Sequence, residues 1–100
     1  MDDFIPKDLD RVIHAPIRLG IMTILNYLEE VSFNYLKSKM KVTDGNLSSH
    51  LSKLEDSGYI NVRKEFIKKK PYTSYHITEK GKKAFRNYLQ KLESVIKGGQ

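Results

Sequence analysis

The sequence predicts a mainly α fold with one small β-hairpin, ordered helix, helix, helix, helix, strand, strand, helix. Three observations carry that expectation. Apolar residues recur at helical spacing in five segments, the period changes to alternation after Gly58, and two alternating runs bracket a turn rich in lysine and containing a proline. One hundred residues suit one domain, residues 1–100, because a chain of this length encloses a single modest core.

Taken in order, Leu9, Val12 and Ile13 share a helical face, and Pro16 ends that short first helix. Pro16 also fits the first turn of a second helix, whose Ile17, Ile21, Ile24, Leu25 and Leu28 form one stripe. Leu19 and Met22 lie off the stripe and predict a second packing contact. Ser32 is placed to cap a third helix bearing Phe33, Leu36 and Met40, with Lys37, Lys39 and Lys41 near the end that favours cations. Val42-Thr43-Asp44 reads as a turn and a new cap, Asp44 mainly as a capping group with a cytosine contact as its alternative. The fourth helix carries Leu47, Leu51 and Leu54 and stops at Gly58. Tyr59 to Arg63 and Thr73 to Ile77 alternate and should pair antiparallel, with Lys68-Lys69-Lys70-Pro71 at or near the tip. Thr78 caps a last helix, about residues 79–97, with Phe85, Tyr88, Leu89, Leu92, Val95 and Ile96 along its apolar stripe.

Composition narrows the function. Eighteen Lys and Arg against twelve Asp and Glu leave +6, which directs attention to nucleic acid without establishing it. The absence of cysteine excludes disulfides, cysteine-zinc sites and thiol redox sensing. His14, His50 and His76 show no ligand spacing, so neither metal nor other cofactor is expected. Asp2 and Asp3 stand where a signal peptide carries positive charge, and the longest nearly apolar run, Ile21 to Leu25, is far short of a membrane span. The expected location is cytoplasmic, with no membrane contact.

The fourth helix holds the first candidate site. A rotation of about 100° per residue turns Leu47, Leu51 and Leu54 inward and sets Gly45, Ser48, Ser49, Ser52 and Lys53 on the outer side. Small side chains let a helix approach base edges in the major groove, and Asn46 in the first turn can pair bidentately with adenine. Thr43, Gly45, Asn46, Ser48, Ser49, Ser52 and Lys53 are therefore the candidate contacts of a recognition helix spanning about residues 43–57. Serine and glycine make poor surfaces for a merely solvated helix, which is the competing reading. The second site is the hairpin, about residues 59–77. It carries Arg63, Lys64, Lys68, Lys69 and Lys70 against the single acid Glu65, a net +4 of the chain's +6. Lysine is a flexible point charge suited to phosphate, so this hairpin should grip the backbone. An enzyme is not expected: Ser49 and His50 diverge by about 100° on a helix and form no nucleophile–base pair.

The run Asn46-Leu47-Ser48-Ser49-His50-Leu51-Ser52-Lys53-Leu54-Glu55-Asp56-Ser57-Gly58-Tyr59-Ile60 resembles the recognition helix and following strand of MarR- and ArsR-like winged-helix regulators. Lys70-Pro71-Tyr72-Thr73-Ser74-Tyr75-His76-Ile77-Thr78-Glu79-Lys80-Gly81 is similar to their wing strand and entry to the last helix. With Ala15-Pro16-Ile17-Arg18, the resemblance covers about residues 8–97. It implies a winged helix-turn-helix and a homodimeric transcription factor bound to double-stranded DNA. The chain departs from the pattern in having lysines at the wing tip, where arginine is frequent, and in having no effector or metal motif.

The last helix extends past the expected core with a repeat close to 3.5 residues, which calls for a partner surface. The expected dimer interface comprises Phe4, Ile5, Leu9, Phe85, Tyr88, Leu89, Leu92, Val95 and Ile96; packing on the chain's own N-terminal segment is the alternative. A two-fold dimer would read two half-sites roughly 34–36 Å apart, or a multiple of that. The rival function is a winged helix used for protein contact inside a larger complex.

Overall fold

The computed structural model describes residues 9–98. Four helices and three strands occur among them: α1 (Pro16–Leu28), β1 (Glu30–Ser32), α2 (Phe33–Met40), α3 (Asp44–Asp56), β2 (Ile60–Ile67), β3 (Lys70–Ile77) and α4 (Glu79–Ile96). Pro16 opens α1, where its missing N–H costs nothing. Ser32, Thr43 and Thr78 cap α2, α3 and α4 by accepting the backbone N–H of Tyr35, Asn46 and Gly81.

Three expectations need correction. The short helix over Leu9 to His14 is absent: the segment is a turn in which the Asp10 carboxylate accepts the N–H groups of Val12 and Ile13. The backbone makes one helical bond, from the His14 N–H to the Asp10 carbonyl, and goes no further before Pro16, although Leu9 and Ile13 are buried as their spacing implied. Thr43, not Asp44, is the cap of α3; Asp44 stands in the first turn. The sheet has a third strand, β1, which pairs antiparallel with β3 through Glu30–His76, Val31–Tyr75 and Ser32–Ser74, giving the order β1-β3-β2. The hairpin tip lies where expected: Lys68 and Lys69 form the turn, and Lys70 and Pro71 follow it at the start of β3.

The core lies between the inner faces of the helices and one face of the sheet. Ile21, Met22 and Leu25 of α1 meet Leu36 of α2, Leu47, Leu51 and Leu54 of α3, Ile60 and Ile77 of the sheet, and Phe85 and Tyr88 of α4. Met22 is buried beside the α1 stripe, as the second packing contact required. A tight junction joins the hairpin base to α4. The Thr78 hydroxyl donates to the Gly58 carbonyl at 2.6 Å, and the Thr78 N–H donates to the Tyr59 carbonyl at 3.0 Å. Gly58 has φ +80°, ending α3 in the left-handed conformation, and the Tyr59 N–H returns to the Leu54 carbonyl. Gly81 is buried against the Tyr59 carbonyl so closely that any Cβ would collide with it.

Candidate nucleic-acid interface

The buried leucines of α3 turn its other side outward. Leu47, Leu51 and Leu54 are fully or almost fully enclosed, while Thr43, Gly45, Asn46, Ser48, Ser49, Ser52 and Lys53 are all exposed. The helix thus offers a continuous strip of short polar groups, with no bulky apolar side chain among them. The Thr43 hydroxyl is engaged by the Asn46 N–H at 3.1 Å, which fixes the first turn and leaves the Asn46 side chain outside.

Asp44 would repel phosphate if it stood alone. Instead its carboxylate pairs with Lys37 of α2 at 2.6 Å, so the charge facing outward there is balanced. The pair is solvated and adds little stability, so its importance is electrostatic.

Orientation of α3 is held from behind by Arg18. Its Nη1 donates to His50 Nδ1 at 3.0 Å, and its Nε donates to the Val12 carbonyl. Burial, followed by the charges of Arg18 and Lys53, pushes the His50 imidazole below its ordinary range, which suits a neutral ring accepting from guanidinium. Arg18 therefore joins the N-terminal turn to α3. Sequence reasoning did not find this pair, because Arg18 and His50 lie 32 residues apart.

The hairpin projects beyond the core. Ile60 is buried and Val62 half-buried, but Arg63 through Ile67 are exposed in unbroken succession. At the spacing of a strand those five residues overhang by roughly 16 Å. The register pairs Arg63 with Ser74, Lys64 with Thr73, Phe66 with Pro71 and Ile67 with Lys70. Lys64 consequently lies on one face and Arg63 and Lys70 on the other, with Lys68 and Lys69 at the end. Both turn lysines have positive φ, 53° and 67°, the two-residue geometry that follows the sheet's twist. Pro71 fits beside that turn because the pair flanking it, Ile67–Lys70, takes the hydrogen bonds, and the next pair needs none. All five expected hairpin cations are exposed. Phe66 is 76% exposed among them, a feature that the alternation of Ile60, Val62, Lys64 and Phe66 did not reveal.

The expected α4 surface divides in two. Phe85, Tyr88 and Leu9 are buried in the chain's own core, and His14 Nδ1 meets the Tyr88 hydroxyl at 2.7 Å. Leu89 and Ile96 are exposed, Leu92 and Val95 partly so. Phe4 and Ile5 lie outside the described residues. Among the described residues no group of three His, Asp or Glu is placed to hold a metal, and no helix is long and apolar enough to cross a membrane.

Comparison with known proteins agrees with this architecture. A family profile described as a winged helix DNA-binding domain matches residues 17–96. An uncharacterised protein of Methanocaldococcus jannaschii is 40% identical over 87 residues, covering 87% of this chain and 95% of that one. A solved transcriptional regulator homologue from Pyrococcus horikoshii superposes with a TM-score of 0.83 at 32% identity, covering 89% of this chain and 88% of that one. HlyU from Vibrio cholerae superposes with a TM-score of 0.66 at 26% identity, covering 82% and 84%.

Proposed function

Because this chain belongs to the winged-helix DNA-binding domain family, we propose that it is a homodimeric transcriptional regulator that binds double-stranded DNA sequence-specifically and acts as a repressor. The observation that carries the reading is the exposed strip of small polar groups on α3 beside a hairpin with five exposed cations. The α3 helix, with its cap, enters the major groove; Asn46 pairs with an adenine edge, and Ser48, Ser49 and Ser52 contact base edges or nearby phosphates. Gly45 permits close approach, and Thr43 and Lys53 hold the flanking backbone. Arg63, Lys64, Lys68, Lys69 and Lys70 neutralise phosphates. Repression needs only occupancy of the site. The cysteine-free sequence is compatible with a reducing cytoplasm.

Dimerisation rests on the outer part of α4. Leu89, Leu92, Val95 and Ile96 present an apolar strip that the chain does not fully cover, and Leu9, Phe85 and Tyr88 support it from within. Two copies touching about eight phosphates would give a log–log salt slope near −7.

Titrating a random-sequence duplex at rising salt tests the function. Tight binding at low salt that falls steeply with added salt is expected; no binding at about 50 mM salt would favour a protein-contact module instead. Replacing Lys68, Lys69 and Lys70 with alanine should weaken binding to all sequences and flatten the slope, whereas Asn46→Ala should chiefly relax sequence preference. Equal effects of both changes on selected and random duplexes would refute this division of roles.

A further inference from the structure

The hairpin tip carries an apolar surface that charge neutralisation does not use. Phe66 is 76% exposed, Ile67 45% and Tyr72 39%, all on the segment that overhangs the core. Phe66 packs nothing essential to the fold, and with Ile67 and Tyr72 it concentrates exposed apolar side chains at one end of the ribbon. The register sets Pro71 directly across from Phe66, which makes a two-residue apolar edge on one face of the ribbon. Cations surround that edge: Lys64 lies two residues back on the same face, and Lys68 and Lys69 form the turn beyond it.

An apolar edge ringed by lysines suits an occupant that is anionic outside and flat and apolar within. Duplex DNA approached from the minor groove offers both, with phosphate rails on either side of a channel about 6 Å wide and, behind the polar base edges, flat apolar base faces that a wedge meets when a step opens. The narrow channel lets one hairpin tip reach both rails, whereas the wide groove is the one that admits a helix such as α3. Phenylalanine and proline are among the side chains that serve as wedges between base steps, opening the stack and bending the duplex away from the wedge. Resting on the DNA-binding reading above, we propose that Phe66, backed by Pro71, inserts from the minor groove between neighbouring base pairs while the turn lysines hold the phosphates on each side.

The chain contains no tryptophan, so Phe66→Trp places a single reporter at the tip. Its emission should be quenched at least about twofold on addition of a mixed-sequence 30-base-pair duplex at low salt, because the indole would stack on bases. End-to-end energy transfer across the same duplex should show a bend of roughly 20–90° with the unaltered protein. Phe66→Ala should abolish the bend and weaken binding by about 5- to 100-fold without changing the salt slope, since no charge is removed. Melting should be unaltered, because the side chain is outside the core. Binding without a quench, or without a bend that depends on Phe66, would overturn insertion and leave the DNA-binding reading standing. No binding of the duplex by the unaltered protein would overturn both.

Discussion

Gly81→Ala sets two physical effects against each other. Helix propensity alone favours alanine over glycine by up to about 1 kcal/mol, so a view limited to α4 expects stabilisation. Packing argues the opposite. An added Cβ would stand 2.2 Å from the Tyr59 carbonyl oxygen and 3.0 Å from Ile77 Cγ1, against a floor near 3.0 Å for real contacts. The first obstacle is backbone, and it is fixed by the Thr78 N–H bond to that same carbonyl. Relief requires the start of α4 to retreat by about 1 Å, which breaks the bonds from Thr78 to Tyr59 and Gly58 at about 1 kcal/mol each. Overpacking adds about 1–3 kcal/mol. After the propensity gain, the net loss is about 2–4 kcal/mol. For a domain of this size that corresponds to a melting temperature lower by roughly 10–25 °C. Thermal melts followed by circular dichroism at one fixed protein concentration would measure it. An unchanged or higher melting temperature would refute the reasoning, because it would show that the hairpin base yields freely.

Three other outcomes follow from specific contacts. Replacing Lys68-Lys69 with Asn-Gly should relieve two side chains held at positive φ, at about 1 kcal/mol each, and raise protection of hairpin amides in hydrogen exchange by roughly tenfold or more; unchanged protection would contradict the turn geometry. Burial and the hydrogen bond to Asp10 push the Tyr59 phenol up to about 12, so the neutral form is the one the fold favours. That contribution is complete below pH 10 and is lost as pH rises from 10 to about 12; urea midpoints across this window should fall less steeply in Tyr59→Phe. Tyr75 and Tyr88, raised mainly by burial, keep some of the decline in place. Leu89→Glu combined with Ile96→Glu should weaken self-association at least ~100-fold in sedimentation while sparing the monomer's core; intact association would remove α4 from the interface.

Several elements were legible because the signal was local and repeated. The α1 stripe, the Ser32 and Thr78 caps, the leucines of α3 and the stop at Gly58 all depend on residues within a few positions of one another. The misses share a different cause. Leu9, Val12 and Ile13 have helical spacing over only six residues, too few to propagate a helix beyond the single turn that Asp10 caps before Pro16. β1 is three residues long and exists by pairing with residues more than 40 positions away, so no alternation announces it. The turn itself was placed, but its two-residue form was not announced, because Lys68-Lys69 lacks the Asn and Gly that usually mark such turns. Amphipathicity of α4 predicted an apolar face without saying which part the chain itself would bury, and Phe85 and Tyr88 went to the core. Of the candidate site, the outward strip of α3 and the cations were readable; the balancing of Asp44 by Lys37 and the bracing of His50 by Arg18 required three dimensions.

The bonding at Gly58, Tyr59, Thr78 and Gly81 makes a crank of the domain. The helix that leaves this joint and the ribbon that enters it share these hydrogen bonds, so a change of angle between them strains the bonds. Over the roughly 26 Å of an eight-residue strand, about 5° of rotation becomes about 2 Å of travel at the far end. The distance from joint to fingertip therefore magnifies small differences at the base, and the close fit at Gly81 is what keeps them small.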